Sequence, residues 1–395
     1  MEPRSRLFFT GMLPLFVLTH FAHHLLTALP IPLLPFIRKE FSLDYTQSAL
    51  VLSAFSLSYG ISQVPAGWFA DRVGPRILIT VGICGVALGG VCVGLSQTYI
   101  MMIIFLVLMG LVGGGYHPAA APLISASVDS KNRGRALGFH VIGGSGSYFL
   151  APIIAASIAA AWGWRSSFLG LALPTLVFGI LFYALLGRKW GMSRSRREKS
   201  GHQEETSPGP GNVRRIVAFI IMGVFTGGVM SSSMSFVPLY MVDHFGISEE
   251  TAAKYLAIVF SAGLWAGPLG GYLSDRFGRV PIILATSFLA GILVYLLKVV
   301  PYSLGMGVLL FAFGIIMFVR MPVSEAFIIS QTSTHHRSTV YGIYYLTMME
   351  AGAIFAPIMG YFLDHFGFHT SFTIASVTAV TVTFICSFFL WGSGD

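Results

Sequence analysis

A glycine-rich segment of this chain occurs twice at a spacing of 204 residues. Residues 67–76 read Gly-Trp-Phe-Ala-Asp-Arg-Val-Gly-Pro-Arg, and residues 271–279 read Gly-Tyr-Leu-Ser-Asp-Arg-Phe-Gly-Arg. Other positions keep the same spacing: Gly110 and Gly314, Pro118 and Pro322, Arg133 and Arg337. Similarity at one fixed spacing predicts that the chain contains two copies of one structural unit.

The composition places both copies in a lipid bilayer. Hydrophobic residues make up 55% of the 395 residues and charged residues only 10%, which is too little polar surface for a soluble protein of this size. Apolar runs of about 20 residues can cross a bilayer as helices. We therefore expect an all-α integral membrane protein with twelve transmembrane spans in two six-helix, pseudo-symmetric halves. The predicted spans are 8–36, 46–69, 77–96, 99–127, 135–159, 165–187, 214–242, 250–273, 281–298, 303–330, 339–362 and 369–392.

Basic residues predict the domain bounds and the orientation. The halves are expected at 1–187 and 214–395, joined by a basic linker at 188–213 that is rich in Ser, Pro and Gly. Most of the 24 Lys and Arg residues face the cytoplasm if both termini are cytoplasmic, as expected for a multi-pass protein of the plasma (inner) membrane. The net charge of +8 then reflects topology and contact with membrane lipids, and we expect no nucleic-acid partner.

The repeated segments predict a cytoplasmic gate. They fall in the loops between spans 2 and 3 and between spans 8 and 9, with an acid and a base at helix ends. Asp71 could meet the N-terminal end of span 11 or the arginines of residues 133–135, and Asp275 could meet Arg337 and span 5. The alternative is that these residues only set topology and stabilise loops. The predicted gating residues are Asp71, Arg72, Arg135, Asp275, Arg276 and Arg337.

Over essentially its whole length the chain resembles the major facilitator superfamily. Residues 67–76 match the signature of that family's loop between spans 2 and 3, with Pro75 where a basic residue is usual. Residues 29–36, 115–118 and 133–138 (Leu-Pro-Ile-Pro-Leu-Leu-Pro-Phe, Gly-Tyr-His-Pro and Arg-Gly-Arg-Ala-Leu-Gly) resemble the branch that includes the fosmidomycin-resistance efflux proteins. That branch often has an acid where this chain has His24. The resemblance implies transport by alternating access, in which one half moves against the other.

In this family, spans 1, 4, 7 and 10 line the substrate cavity, and each of them carries polar or sulfur-containing residues at similar predicted depth. His20 and His24 lie one helical turn apart, with His23 beside them, so their rings share one side of span 1. We predict a substrate site from residues on all four spans. Its members are Arg320, His20, His24, Tyr116, His117, Ser231 and Met234.

Arg320 is the most informative of these residues, because an arginine near the bilayer centre costs several kcal/mol unless it faces a cavity or a partner. Its guanidinium could bind a carboxylate, phosphate or phosphonate of the substrate. Alternatively, Glu325 or Glu350 neutralises it permanently. We expect the first arrangement, and hence a small organic anion as substrate.

Three residues are predicted to couple transport to protons. Glu350, His117 and Glu325 can each bind and release a proton as their surroundings change. His140 is placed near the cytoplasmic end of span 5 and is not included. The alternative is that each of these residues is a satisfied polar group in the packing between helices.

Other functions remain open at this point. His20-x-x-x-His24, Met230-x-x-x-Met234 and Met317-x-x-x-Met321 would suit a soft cation such as Cu(I), and so a soft-metal transporter. Methionine commonly fills gaps between helices, however, and Arg320 would repel a cation, so we expect no metal site. A multidrug or antibiotic efflux antiporter and a non-transporting membrane receptor are further alternatives.

The sequence lacks the motifs of enzymes and ATP-driven pumps. It contains no Gly-x-x-x-x-Gly-Lys-Ser/Thr loop, no His-Glu-x-x-His helix and no nucleophile elbow. We expect a secondary transporter without enzymatic activity or cofactor, which works as a monomer, is driven by protons and moves a small molecule by alternating access.

Overall fold

The computed structural model describes residues 11–128, 133–189, 211–331 and 337–391. These residues form helices and connecting turns, with no β-strand among them. A helix satisfies its own backbone hydrogen bonds, which an apolar solvent requires of any segment that crosses it. The helices are α1 (Leu13–Thr27), α2 (Pro30–Phe41), α3 (Tyr45–Val73), α4 (Pro75–Gly94), α5 (Tyr99–Gly113), α6 (Tyr116–Ala126), α7 (Arg133–Trp162), α8 (Trp164–Lys189), α9 (Gly211–Phe245), α10 (Glu249–Ser261), α11 (Ala266–Phe277), α12 (Arg279–Leu297), α13 (Leu304–Gln331) and α14 (Arg337–Leu390).

The described helices correspond to the twelve predicted spans, because some spans consist of two consecutive helices and one long helix contains two spans. Within the described residues, ten helical segments are long and apolar enough to cross a membrane, and an eleventh is the pair 249–264 and 266–277, bent by 48°. The segment Leu346–Leu390 contains Gly367 with a non-helical φ of 69° and divides there into the predicted spans 11 and 12. The predicted all-α membrane fold is confirmed.

Several boundaries differ from the prediction. The first span reaches Phe41, beyond the predicted end at residue 36, while its predicted start at residue 8 lies outside the described residues. It consists of α1 and α2, and Pro30 at the start of α2 suits a helix N-terminus, where its missing N–H leaves no helical hydrogen bond unmade. The eighth span bends near Leu264, where the sequence predicted one continuous helix over 250–273.

Backbone geometry repeats with the same spacing as the sequence. In the described residues, positive φ angles occur at Ser42 and at five glycines, and all six positions form pairs 204 residues apart. The pairs are Ser42 (51°) and Gly246 (67°), Gly74 (90°) and Gly278 (86°), and Gly163 (82°) and Gly367 (69°). Glycine adopts such angles without steric cost, so the chain ends its helices at corresponding positions in both copies.

The chain divides into two compact units. Of the described residues, the first unit contains 11–42, 51–128, 133–189 and Ser248–Ala257, and its buried core includes Phe16, Ile83 and Phe182. The second contains Leu43–Leu50, 211–247, 258–331 and 337–391, and its core includes Phe219, Ile283 and Phe327.

The predicted domain bounds at 187 and 214 stay a prediction, because residues 190–210 of the linker lie outside the described residues. Helix α8 extends to Lys189 and α9 begins at Gly211, so both enter the predicted linker by two or three residues.

Candidate functional site

The first unit contains a cluster of five histidines, His20, His23, His24, His117 and His140, which we call the histidine cluster. Three come from α1, where positions 20, 23 and 24 share one side of the helix. His117 follows Tyr116 at the start of α6, and His140 lies on α7. All five are buried except His117, which is half-buried. The structure thus brings together the predicted residues His20, His24, Tyr116 and His117.

Glycines bring the helices of the cluster close together. A Cβ atom at Gly144 of α7 would lie 2.7 Å from Cε1 of His20. A Cβ atom at Gly82 of α4 would lie 3.0 Å from the backbone nitrogen of Tyr116. Helices in membranes approach closely where small residues remove side-chain bulk, and here that approach sets the positions of the imidazole rings.

Hydrogen bonds connect most members of the cluster. His24 Nε2 lies 3.1 Å from His117 Nε2, and His20 Nδ1 lies 2.8 Å from the His140 carbonyl oxygen. The Tyr116 hydroxyl lies 2.9 Å from His140 Nε2, and the His20 and His140 rings stack with centroids 4.1 Å apart. His140 therefore belongs to the cluster, although depth counted from the predicted span ends placed it near the cytoplasm. The Gly143-Gly144 pair next to it was the available signal of a close approach.

Other predicted site residues lie in the second unit. Arg320 on α13 is 8% exposed and Glu350 on α14 is 7% exposed. Among the described residues, no carboxylate oxygen lies within 4.0 Å of the Arg320 guanidinium, so neither Glu325 nor Glu350 pairs with it. Glu350 Oε2 is buried and has no hydrogen-bond partner in the part of the chain that the structure describes.

The surroundings of Arg320 are built from α9 and α14. Tyr344 lies close enough to interact electrostatically with Arg320, and a Cβ atom at Gly223 would lie 3.6 Å from Arg320 Nη2. Ser231 and Met234 lie further along α9, roughly 12 Å or more from Gly223 at the rise of an α-helix. There Met234 is buried and Ser231 packs against Gly352.

Asp71 and Asp275 lie at helix ends, where the sequence analysis placed them, but the residues before them in each repeated segment are helical and do not form a loop. Helices α3 and α11 continue to Val73 and Phe277, because the chain turns only at the positive-φ glycines that follow. Asp71 and Asp275 therefore occupy the last helical turns.

The arginines beside these acids make matching contacts in the two repeats. The Arg72 guanidinium lies 3.3 Å from the centroid of the Trp68 ring, and Arg276 Nη1 lies 3.3 Å from the Tyr272 hydroxyl. Each arginine thus contacts the aromatic residue one turn earlier. The side chains of Asp71, Arg135 and Arg337 lie outside the described residues, so the gate contacts stay a prediction.

Comparisons with known proteins agree with this architecture. The sequence profile of the Major Facilitator Superfamily matches residues 16–318 and 219–394. The hexuronate transporter of Bacillus subtilis (strain 168) is 23% identical over 88% of this chain and 86% of its own length. The fosmidomycin resistance protein of Escherichia coli (strain K12) is 24% identical over 90% of this chain and 87% of its own length.

A solved structure has the same fold. The crystal structure of a POT family transporter in complex with 5-aminolevulinic acid aligns with a TM-score of 0.81, over 94% of this chain and 94% of that chain. At 14% sequence identity the likeness concerns the fold alone. With the duplicated helical units, the paired helix breaks and a family profile that covers nearly the whole chain, this protein belongs to the Major Facilitator Superfamily.

Proposed function

We propose that this chain is a secondary active transporter that moves a small organic anion across the inner membrane by alternating access, driven by protons. Arg320 carries this proposal. It is buried in an apolar helical unit, and no described carboxylate neutralises it. A buried guanidinium without a counter-ion is costly, and a substrate carboxylate or phosphonate could supply the missing charge through two parallel hydrogen bonds.

Ser231 and Met234, on α9 of the same unit, are the further residues that we assign to substrate contact. Ser231 could donate or accept a hydrogen bond, and Met234 offers a polarisable apolar surface. In the first unit, His20, His24, Tyr116 and His117 are the residues that we assign to substrate contact. The hexuronate transporter supports the anion class, because a hexuronate is a sugar carboxylate.

Glu350 is the first candidate for proton coupling. Its buried Oε2 has no hydrogen-bond partner among the described residues, so the carboxyl can hold a proton without breaking a contact with them at that oxygen. Glu325 and His117 are the further candidates. A carboxyl that moves between apolar and hydrated surroundings changes its proton affinity. Coupling of substrate transport to protons requires such a change.

The distribution of Lys and Arg supports an orientation with both termini in the cytoplasm. A site within one chain supports function as a monomer, with the solute, protons and membrane lipids as partners. The repeated Asp-Arg segments are the proposed cytoplasmic gate.

The anion class can be tested by thermal stability. We expect glucuronate or galacturonate, as hexuronate probes, or another small carboxylate or phosphonate to raise the melting temperature of the detergent-purified protein. Arg320→Gln should be at least as stable as the wild type without ligand, because the buried charge is removed, and should lose the stabilisation by the anion. Arg279→Gln, on a half-exposed arginine at the start of α12, is the matched control and should retain it. Stabilisation that persists in Arg320→Gln would contradict the proposed role of Arg320.

A second function has one specific observation in its favour. The similarity to the fosmidomycin resistance protein extends over most of both chains and supports export of an antibiotic or drug by an antiporter. In the same thermal screen, stabilisation by lipophilic cationic drugs alone, unchanged in Arg320→Gln, would favour efflux of such drugs.

A further inference from the structure

Three imidazoles of the histidine cluster are close enough to share one ligand. Nitrogen atoms of His20, His24 and His117, one from each ring, lie within 4.8 Å of one another. His20 and His24 are buried and His117 is half-buried. All three belong to the first unit, on α1 and at the start of α6.

His20 presents an unused lone pair. Its Nδ1 lies 2.8 Å from the His140 carbonyl oxygen, and a carbonyl can only accept, so Nδ1 carries the proton and donates. Nε2 is then an acceptor, and it is buried without a hydrogen-bond partner among the described residues. A buried acceptor left unpaired costs roughly 1–3 kcal/mol. A ligand that accepts this lone pair would remove the cost.

His24 is oriented in the same way by a threonine. Its Nδ1 lies 2.9 Å from Thr27 Oγ1, and the Thr27 hydroxyl can donate in turn to the His24 carbonyl oxygen at 3.5 Å. His24 Nδ1 then donates to Thr27, and the Nε2 lone pair points at His117 Nε2, 3.1 Å away. A hydrogen bond outward from one ring nitrogen, with the lone pair of the other nitrogen directed toward the neighbouring ligands, is the arrangement that proteins use to orient metal-binding histidines.

The spacing suits a transition metal. With metal–nitrogen bonds of about 2.0–2.1 Å, the nitrogens of a tetrahedral zinc site lie about 3.3 Å apart. The His24–His117 separation of 3.1 Å is already close to that value, and the wider spacing within the group, up to 4.8 Å, can close by small ring rotations. His117 would hold its proton on Nδ1 so that Nε2 can bind, which keeps all three ligands neutral.

We propose that His20, His24 and His117 form a binding site for one divalent transition-metal ion, with Zn²⁺ as the best match. Three neutral imidazoles with a fourth position left open form a known ligand set for zinc. The proposal departs from the expectation of no metal site that we drew from the sequence. It does not depend on the class of substrate or on Arg320.

Direct metal binding tests the proposal. The protein, with its affinity tag removed and metal stripped by a chelator, is dialysed against Zn²⁺ and the bound metal is measured by elemental analysis. We expect about one Zn²⁺ per chain, lost in His117→Gln and in His24→Gln. The matched control is the double variant His244→Gln and His365→Gln, which removes two exposed histidines of the second unit and should leave the bound Zn²⁺ unchanged.

Thr27 gives a second, gentler test, because it positions His24 without touching the metal. Thr27→Val should keep the stoichiometry and weaken Zn²⁺ affinity by about 10- to 100-fold, and Thr27→Ser should restore it. Absence of Zn²⁺ in the wild type, or equal binding by wild type and monodisperse His117→Gln, would overturn the proposal. Loss of Zn²⁺ in the control variant would also overturn it, because the ion would then bind at the surface.

Discussion

The Tyr116 hydroxyl lies 2.9 Å from Nε2 of His140, and this pair has a counterpart in the second repeat. Shifted by 204 residues, the two positions become Arg320 and Tyr344, which also lie near each other. Both repeats therefore place two polar side chains close together on corresponding helices. The first repeat surrounds its pair with histidines and the second places a permanent cation there, so duplication has produced two chemically different units.

The Tyr116–His140 pair contributes to the stability of the first unit. Tyr116→Phe removes the hydroxyl and leaves His140 Nε2 without that partner, which should cost about 1 kcal/mol or more. We expect a lower melting temperature in detergent. Tyr183→Phe, on an exposed tyrosine of α8, is the control and should have the same melting temperature as the wild type. Equal melting of Tyr116→Phe and wild type would show that the hydrogen bond adds no net stability.

Gly144 is required for the approach of α1 to α7. Gly144→Ala places a methyl group against the His20 ring, and such overpacking should cost about 1–3 kcal/mol. Gly138→Ala on the same helix meets nothing within 4 Å and should be neutral or slightly stabilising. Thermal melting of the two variants side by side checks this prediction. A Gly144→Ala protein as stable as Gly138→Ala would mean that the helices can separate without cost.

Asp364 caps the N-terminus of α3 from a distant part of the chain. Its carboxylate accepts hydrogen bonds from the backbone N–H groups of Tyr45 and Thr46, at 2.8 and 2.9 Å, and from the Thr46 hydroxyl. Asp364→Ala should destabilise the second unit by about 1 kcal/mol, as loss of a helix cap does. Thr46→Val removes only the hydroxyl contact and should have a smaller effect on the melting temperature. The reverse order would argue against backbone capping as the main contribution.

Glu350 is expected to connect transport to protons. Glu350→Gln keeps the size of the side chain but cannot release a proton, so accumulation driven by a proton gradient should be lost while exchange of substrate across the membrane continues. Uptake into proteoliposomes with and without an imposed pH gradient measures both activities. Glu249→Gln, on a carboxylate paired with Lys39 outside the proposed site, is the control. Gradient-driven uptake by Glu350→Gln at the wild-type rate would assign coupling to Glu325 or His117.

The fold could be predicted from the sequence because the apolar runs and the helix-ending glycines occur in both copies. Apolar runs gave the spans, and the spacing of Gly74 and Gly278 marked equivalent helix breaks that the backbone angles then confirmed. The same pattern located the helix ends near Asp71 and Asp275 only to within a few residues, because a helix ends where the backbone leaves helical angles. That change occurs at the glycine three residues after each acid, beyond the point where the apolar run stops.

The contacts between individual side chains were harder to predict from the sequence than the helices. Spacing along α1 predicted that His20 and His24 share one side, and the structure agrees. It could not show that His140 stacks on His20, because that contact depends on how closely Gly144 lets α7 approach. The lack of an ion pair between Arg320 and Glu350 likewise depends on the rotation of two helices, which residue spacing within either helix does not fix.

Flux through reconstituted protein tests the central claim most directly. Proteoliposomes containing wild-type protein or Arg320→Gln are loaded with the radiolabelled anion that stabilises the protein best, and its movement is followed under an imposed proton gradient. We expect gradient-driven movement of the anion by the wild type and none by a folded Arg320→Gln protein. Equal flux by the two proteins, or no anion flux by correctly folded wild type, would contradict the proposed function.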